Sequence, residues 1–347
     1  MSLLTSLISH QIWLQRTASG EVKDLAPFIK EMRDEIKRQV LLFGDDGRST
    51  ARLNKLLLDL EEALAGLTGD WQTKLTEDLK ELAAYEAEWN VKTLNANVNA
   101  EFVTPTAEQV WAAAEFQPLS LSDKPVDFTK LMSGWGETEV ARLVTGVKMG
   151  FVQGQTTRQI VKNVVGAGGL ADISERNAAT VIRTALSHVS NEARNATYRQ
   201  NDDIIEKYEW VSTLDSRTST ICRARDGMTW EIGKGPMPPA HPNCRSCTAP
   251  VISSEFDFLD KGAKRAAKGA DGATQVNADT TYYEFLKQQP AWFIDEALGP
   301  VRGKIFRNSG ISPEEFRVIS VDGFGNPLTL KQMAELDKRV ADYLKGE

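Results

Sequence analysis

The chain has 347 residues, 41% hydrophobic and 26% charged, with a formal net charge of −7. That length and apolar content can bury sizeable cores in about two domains. The acidic balance excludes a general DNA-coating role and leaves room only for a local basic face, and no apolar run approaches the roughly 20 residues needed to span a bilayer.

The N-terminus, MSLLTSLISHQIWLQRTASG, lacks the basic region and small-residue cleavage site of a signal peptide, so the chain is expected to stay in the cytosol where it is made. Its three cysteines are odd in number, which argues against a disulfide framework and for buried thiols or metal ligands.

Leu3, Leu4, Leu7, Ile8, Ile12 and Leu14 recur at helical spacing over residues 3–17. A second helix is predicted from about Asp24, read as its N-cap with Pro27 in the first turn, to Phe43. Its stripe is Leu25, Phe28, Ile29, Met32, Ile36, Val40 and Leu41. Asp45, Asp46 and Gly47 read as a turn. ARLNKLLLDLEEALAGL predicts an amphipathic helix ended by Gly69. Another helix runs from Trp71 to about Leu94, with Leu75, Leu79, Leu82, Tyr85 and Trp89 on one face. This opening third reads as an extended helical arm or antiparallel bundle.

Residues 95–105 and 118–125 read as loops, flanking a short helix capped by Thr106 or Thr104. Two or three helices fill residues 127–165, with a turn at Gly150 and Gly154. After a hinge at Gly166–Gly169, Asp172 and Glu175 resemble a capping box that launches a helix to about Gln200. Its stripe of Ala178, Ile182, Ala185, Val189 and Ala196 is narrow enough for close packing, as expected of a central core helix.

The period then changes. Residues 208–213, 228–232 and 248–252 read as strands, with a tight turn at Arg225-Asp226-Gly227. Residues 261–279, rich in Ala, Gly and Lys, read as a linker. Helices are predicted near YYEFLKQQ, across FIDEALGPVRGKIF, and after Thr329. The fold class is therefore mainly α with a small β-element.

All three cysteines, Cys222, Cys244 and Cys247, lie in the insert at 208–252 with His241, spaced C-x18-H-x2-C-x2-C. Thiolate and imidazole are tetrahedral zinc ligands, and a small β-element with little core of its own gains most from such a staple. Three buried thiols and a histidine bonded to backbone would equally explain the pattern. Cysteine nucleophile catalysis is disfavoured, because one histidine serves three thiols and no orienting acid is evident. Arg217, Arg223, Arg225 and Arg245 are interleaved with Asp215, Asp226 and Glu231, which points to local salt bridges rather than a nucleic-acid patch.

An ordered series of motifs resembles the phage head morphogenesis (minor head protein) family of the Mu F type. It comprises Arg183-Thr184, Asn191, Arg194, Glu209-Trp210-Val211, Leu214-Asp215, Arg217-Thr218, Cys222, Asp226-Gly227 and His241-Pro-Asn-Cys-Arg245, within residues 130–252. Ser219 stands where the family pattern has the first cysteine of C-x-x-C, and C-R-C has become Cys244-Arg-Ser-Cys247. A four-sulfur site is thereby ruled out, and Cys222, His241, Cys244 and Cys247 form the alternative zinc set.

The resemblance implies a minor structural protein of a tailed-phage capsid and not an enzyme. Its expected partners are the portal protein and the major capsid or scaffolding protein, near packaged double-stranded DNA. Its expected place is the virion, and the host cytoplasm during assembly. The expected organisation is a helical arm at 1–100 that docks through its apolar stripe, a connecting segment at 101–125 and the Mu F-like domain at 126–252. A linker at 253–280 and a helical tail at 281–347 follow. The competing readings are a zinc- or thiol-dependent enzyme and a zinc-ribbon DNA-binding protein.

Overall fold

The structure is a computed structural model that describes residues 2–45, 49–98, 100–121, 124–252 and 262–346. The expected turn at Asp46 and Gly47, parts of the two expected loops (Asn99, Ser122 and Asp123) and the start of the expected linker lie outside the described residues.

Helix α1 spans Leu3–Asp24, capped by Ser2, and α2 spans Ala26–Phe43, so Asp24 ends one helix instead of capping the next. Pro27 does sit in the first turn of α2, where a missing N–H costs nothing. Helix α3 then runs unbroken over Thr50–Asn97, correcting the expected stop at Gly69. The reason is its buried stripe. Leu56, Leu60, Leu64, Thr68, Trp71, Leu75, Leu79 and Leu82 continue at steps of three and four straight through the glycine. Packing along that stripe outweighs the roughly 1 kcal/mol that one helical glycine costs.

A capping box at Thr106 starts α4 (Ala107–Phe116), and the expected loop at 118–125 contains a small hairpin, β1 (Leu119–Leu121) with β2 (Lys124–Val126). Asp127 caps α5 (Phe128–Val152), and a second capping box at Thr156 starts α6 (Thr157–Val165). Helix α7 (Leu170–Gln200) begins at Gly169, so Asp172 lies inside its first turn. There Asp172 accepts from the Gly168 N–H and from Arg33 of α2. Ala178, Ile182, Ala185 and Val189 of α7 are completely buried, as its narrow stripe predicts.

One continuous hydrophobic core extends from Leu14 of α1 through α2 and α3 to Ala193 of α7. The α2 stripe of Leu25, Ile29, Met32, Ile36 and Val40 is spent inside it. The opening helices are thus part of the same core as the middle of the chain, and the surface expected to dock a partner is already occupied.

Strand β3 (Ile205–Val211) lies between β4 (Thr229–Glu231) and β5 (Cys247–Ile252) in an antiparallel sheet, with Tyr208 opposite Trp230 and Pro250. The one-turn-plus helix α8 (Thr220–Arg225) sits between β3 and β4. Where a linker was expected, β6 (Lys264–Gly269) and β7 (Gly272–Asn277) form a hairpin. It is anchored by a bridge from Ala267 to Leu214 and by Arg265. That guanidinium is 2% exposed; it bonds both oxygens of Asp226 at 2.9 and 3.1 Å and the carbonyl of Ser212 at 2.7 Å.

The tail comprises α9 (Tyr282–Lys287), α10 (Ala291–Leu298), α11 (Pro300–Asn308), α12 (Pro313–Ser320), α13 (Leu330–Leu336) and α14 (Lys338–Gly346). Its aromatic core of Tyr283, Phe285, Phe306 and Phe316 also touches Leu214 of the insert. Polar anchors join the two: Tyr282 Oη donates to the Asp215 carbonyl at 2.7 Å, Arg223 to the Ala297 carbonyl at 2.7 Å, and Arg317 to the Ala224 carbonyl at 3.1 Å.

Candidate metal centre

Two short pieces of chain present the ligand atoms. Ser219 caps α8, its Oγ accepting from the Cys222 N–H, which places Cys222 at the third position of that helix. The second piece is the turn 241–244, closed by a bond from the Cys244 N–H to the His241 carbonyl at 3.1 Å. Its Asn243 has φ 59°, a left-handed conformation that asparagine tolerates better than most residues. The Asn243 N–H donates to Thr184 Oγ1 of α7 at 3.1 Å, so Thr184 of the central helix holds the ligand turn in place. Behind both pieces lies Trp210, completely buried against Cys222, Ala240 and Cys244.

Cys222 Sγ lies 3.3 Å from His241 Nε2 and 3.6 Å from Cys244 Sγ, and the three atoms fall within 4.8 Å of one another. Two sulfurs each about 2.3 Å from one tetrahedral zinc would be about 3.8 Å apart. The donor types and spacing therefore fit zinc. His241 Nδ1 donates to the Pro242 carbonyl at 2.9 Å, which fixes the tautomer and turns a bare Nε2 toward the sulfurs, as a metal-bound histidine requires. The two thiols differ. The hydrogen bond between them, with burial, pushes Cys222 well above the ordinary range, while the same bond and His241 pull Cys244 down. Burial opposes charge on the His241 ring, but the neighbouring Cys244 prevails and its pKa is raised.

Cys247 is not brought to this group. It opens β5 opposite Val211, 1% exposed, in a different hydrophobic cluster. Its partner Val211 alternates with Trp210, which packs on Cys222 and Cys244, so Cys247 lies on the opposite face of the sheet, beside the completely buried Arg194. Burial disfavours the Arg194 charge, yet Cys247 and Glu86 hold it protonated. Ser219, which stands where a fourth sulfur is expected, adjoins Cys222 as the helix cap.

Of the interleaved charges of the insert, Asp215 pairs with the insert's own arginines, whereas Asp226 and Glu231 take other cations and Arg223 donates to backbone carbonyls. Arg245 grips Asp215 with two bonds of 2.6 and 2.9 Å, and Thr218 Oγ1 adds a third at 3.0 Å. Burial would raise the Asp215 carboxyl, but Arg245 holds it below its usual range. Glu231 pairs with Lys234, and Asp226 pairs with Arg265, a residue the insert does not contain. A second buried polar group escaped sequence reasoning altogether. His10 of α1 bonds Glu86 of α3 at 2.6 Å, Ser190 of α7 bonds the other Glu86 oxygen at 3.0 Å, and His10 stacks on Trp89 at 3.6 Å. Only the rarity of histidine in the chain marked His10.

The class of protein is thus a helical scaffold that carries a small sheet, with two thiols and an imidazole gathered beside it. Residues 141–249 match the family model described as Phage Mu protein F like protein, in agreement with the resemblance to a phage head morphogenesis family. The matched segment begins in α5 and ends in β5, and takes in α7, Thr184 and the whole ligand group. That family performs a structural, non-enzymatic task in the phage head, in the company of other head components. No curated protein and no solved structure matches the chain. Among the described residues, no helix is long and apolar enough to cross a membrane.

Proposed function

We propose that this protein is a minor head component of a tailed phage, which binds the portal vertex or inner capsid and assists head assembly, DNA packaging and retention, or DNA delivery. The observation that carries the reading is the Mu F-like match over residues 141–249. The net charge of −7 supports it, since a protein that shares a capsid with packaged DNA without coating it gains from being acidic. It would act in the virion, after assembly in the host cytoplasm.

Cys222, His241 and Cys244 would hold zinc, which when bound supplies a cross-link between α8 and the turn 241–244. With both sulfurs only 1% exposed, the group is better suited to stapling than to turning over substrate. The insert has little core of its own there, since four residues make up the buried cluster around the ligands. A staple is what such an element needs.

The test is co-expression of the full chain with the portal protein of the same phage. A complex that survives affinity purification and gel filtration is the expected result. Failure to co-purify, both from co-expressing cells and from particles, would overturn the portal assignment.

A further inference from the structure

The three donors Cys222, His241 and Cys244 leave a four-coordinate zinc one position short. A purely structural zinc site closes all four positions with protein ligands, whereas a site with three keeps a water in the fourth. Among the described residues no further Cys, His, Asp or Glu joins the group, and Cys247 lies on the opposite face of the sheet. Two hydroxyls adjoin it, those of Ser219 and Ser246, both hydrogen-bonded to the Cys222 side chain. They differ in access. Ser246 is 2% exposed and its Oγ meets Ser212 Oγ at 3.4 Å. Ser219 is half-buried, and its Oγ accepts from the Cys222 N–H at 3.4 Å. His241 is half-buried too, while the two sulfurs are 1% exposed and pack with Trp210. Solvent therefore reaches the group past His241 and Ser219, not past the sulfurs.

We infer that Ser219 holds a water molecule in the fourth position of the zinc that Cys222, His241 and Cys244 would bind, so that this centre keeps one exchangeable ligand. The inference rests on the zinc reading of the group. Charge argues for a neutral fourth ligand. Two thiolates and a neutral imidazole cancel the charge of a divalent zinc ion, so a water leaves the centre uncharged, whereas an anion in that position would bury a net negative charge. Arg245 offers such an anion no relief, because its guanidinium is taken up by Asp215 in two bonds of 2.6 and 2.9 Å. A serine hydroxyl can donate to a water or accept from it, and Ser219 stands three residues, or about one helical turn, before Cys222. The donor that suits zinc and keeps the centre neutral when it replaces the water is an imidazole.

Full-length protein loaded with cobalt(II) in place of zinc tests this, since cobalt–sulfur charge-transfer absorbance counts the thiolates and the visible bands report the fourth ligand. The parent is expected to show two sulfurs, and a saturable shift of its visible bands on titration with imidazole. Ser219→Cys should gain a third sulfur and lose that response. Ser219→Ala, in which a two-sulfur absorbance shows the site still assembled, should take imidazole about five-fold more tightly than the parent, because the water to be displaced has lost a hydrogen bond. Ser219→Thr, which keeps both the hydroxyl and the helix cap, should match the parent. Visible bands that imidazole leaves unchanged in the parent, or equal imidazole affinity in the parent and Ser219→Ala, overturn the inference and leave the metal reading standing. A chain that binds no cobalt removes both.

Discussion

Two predictions belong to single residues. The first concerns the ligands. Full-length protein purified without chelator is expected to carry one zinc per chain by elemental analysis. Cys222→Ser and His241→Ala should lose it, and Cys247→Ser, on the far side of the sheet, should keep it. Ser219→Cys should bind zinc more tightly in a chelator competition, because it restores a sulfur beside Cys222. Retention of metal by Cys222→Ser would remove the site. The second concerns His188. This side chain is 1% exposed in α7, Nε2 donates to the Ala114 carbonyl at 2.7 Å, and burial pushes its pKa from 6.5 to about 4. Below the unfolded value of 6.5 the unfolded chain takes up a proton that the folded chain refuses. The folded pKa is therefore depressed, and stability is full above pH 6.5 and falls as the pH drops toward about 4. The loss across that window is of the order of 3 kcal/mol from this group alone. Urea midpoints at pH 7, 5.5 and 4 should show a shallower decline for His188→Gln than for the parent; parallel declines would contradict the assignment.

Among the elements, the β6–β7 hairpin behaves least as its composition suggests. Lysine, glycine and alanine give it almost no apolar anchor, and Arg265 does the anchoring by reaching into the insert to meet Asp226 at 0% side-chain exposure. A buried pair of this kind adds little over a well-packed apolar pair, but breaking it strands a charge. Arg265→Met is expected to destabilise the protein by about 3–5 kcal/mol in chemical denaturation. The double variant Arg265→Met with Asp226→Asn should recover part of that loss, since no buried carboxylate then lacks its cation. If the double variant is no better than the single, the pair is not what holds the hairpin.

At the scale of the whole molecule, the central core joins α1, α2 and α3 to α7, and the tail locks onto the insert through Tyr282, Arg223 and Arg317. This changes how the proposed portal interaction has to be probed. Removing residues 1–100 would strip Leu60, Leu64 and Trp71 from the core around α5 and α7, so loss of binding would report unfolding. The full chain is the proper bait. Side chains that the core leaves outside, such as Leu42, Phe116 and Phe324, each more than 70% exposed, are the ones a partner could meet. The α2 stripe is no longer available for that purpose.

The sequence by itself determined the mainly helical character, the change of period at the insert, the family resemblance and the residue types of the Cys/His group, because each depends on local spacing along the chain. Thr106 and Pro27 mark helix starts for the same reason. Only the tertiary structure decided which cysteines meet. Cys222 and Cys244 are 22 residues apart and 3.6 Å apart in space, whereas Cys247, three residues from Cys244, is carried to the other side by its strand. It likewise decided that Gly69 does not end a helix, that the expected linker is a hairpin, and that the arm's apolar stripe faces inward. In each case the deciding contribution came from packing between residues remote in sequence, and that energy leaves no local trace in the pattern.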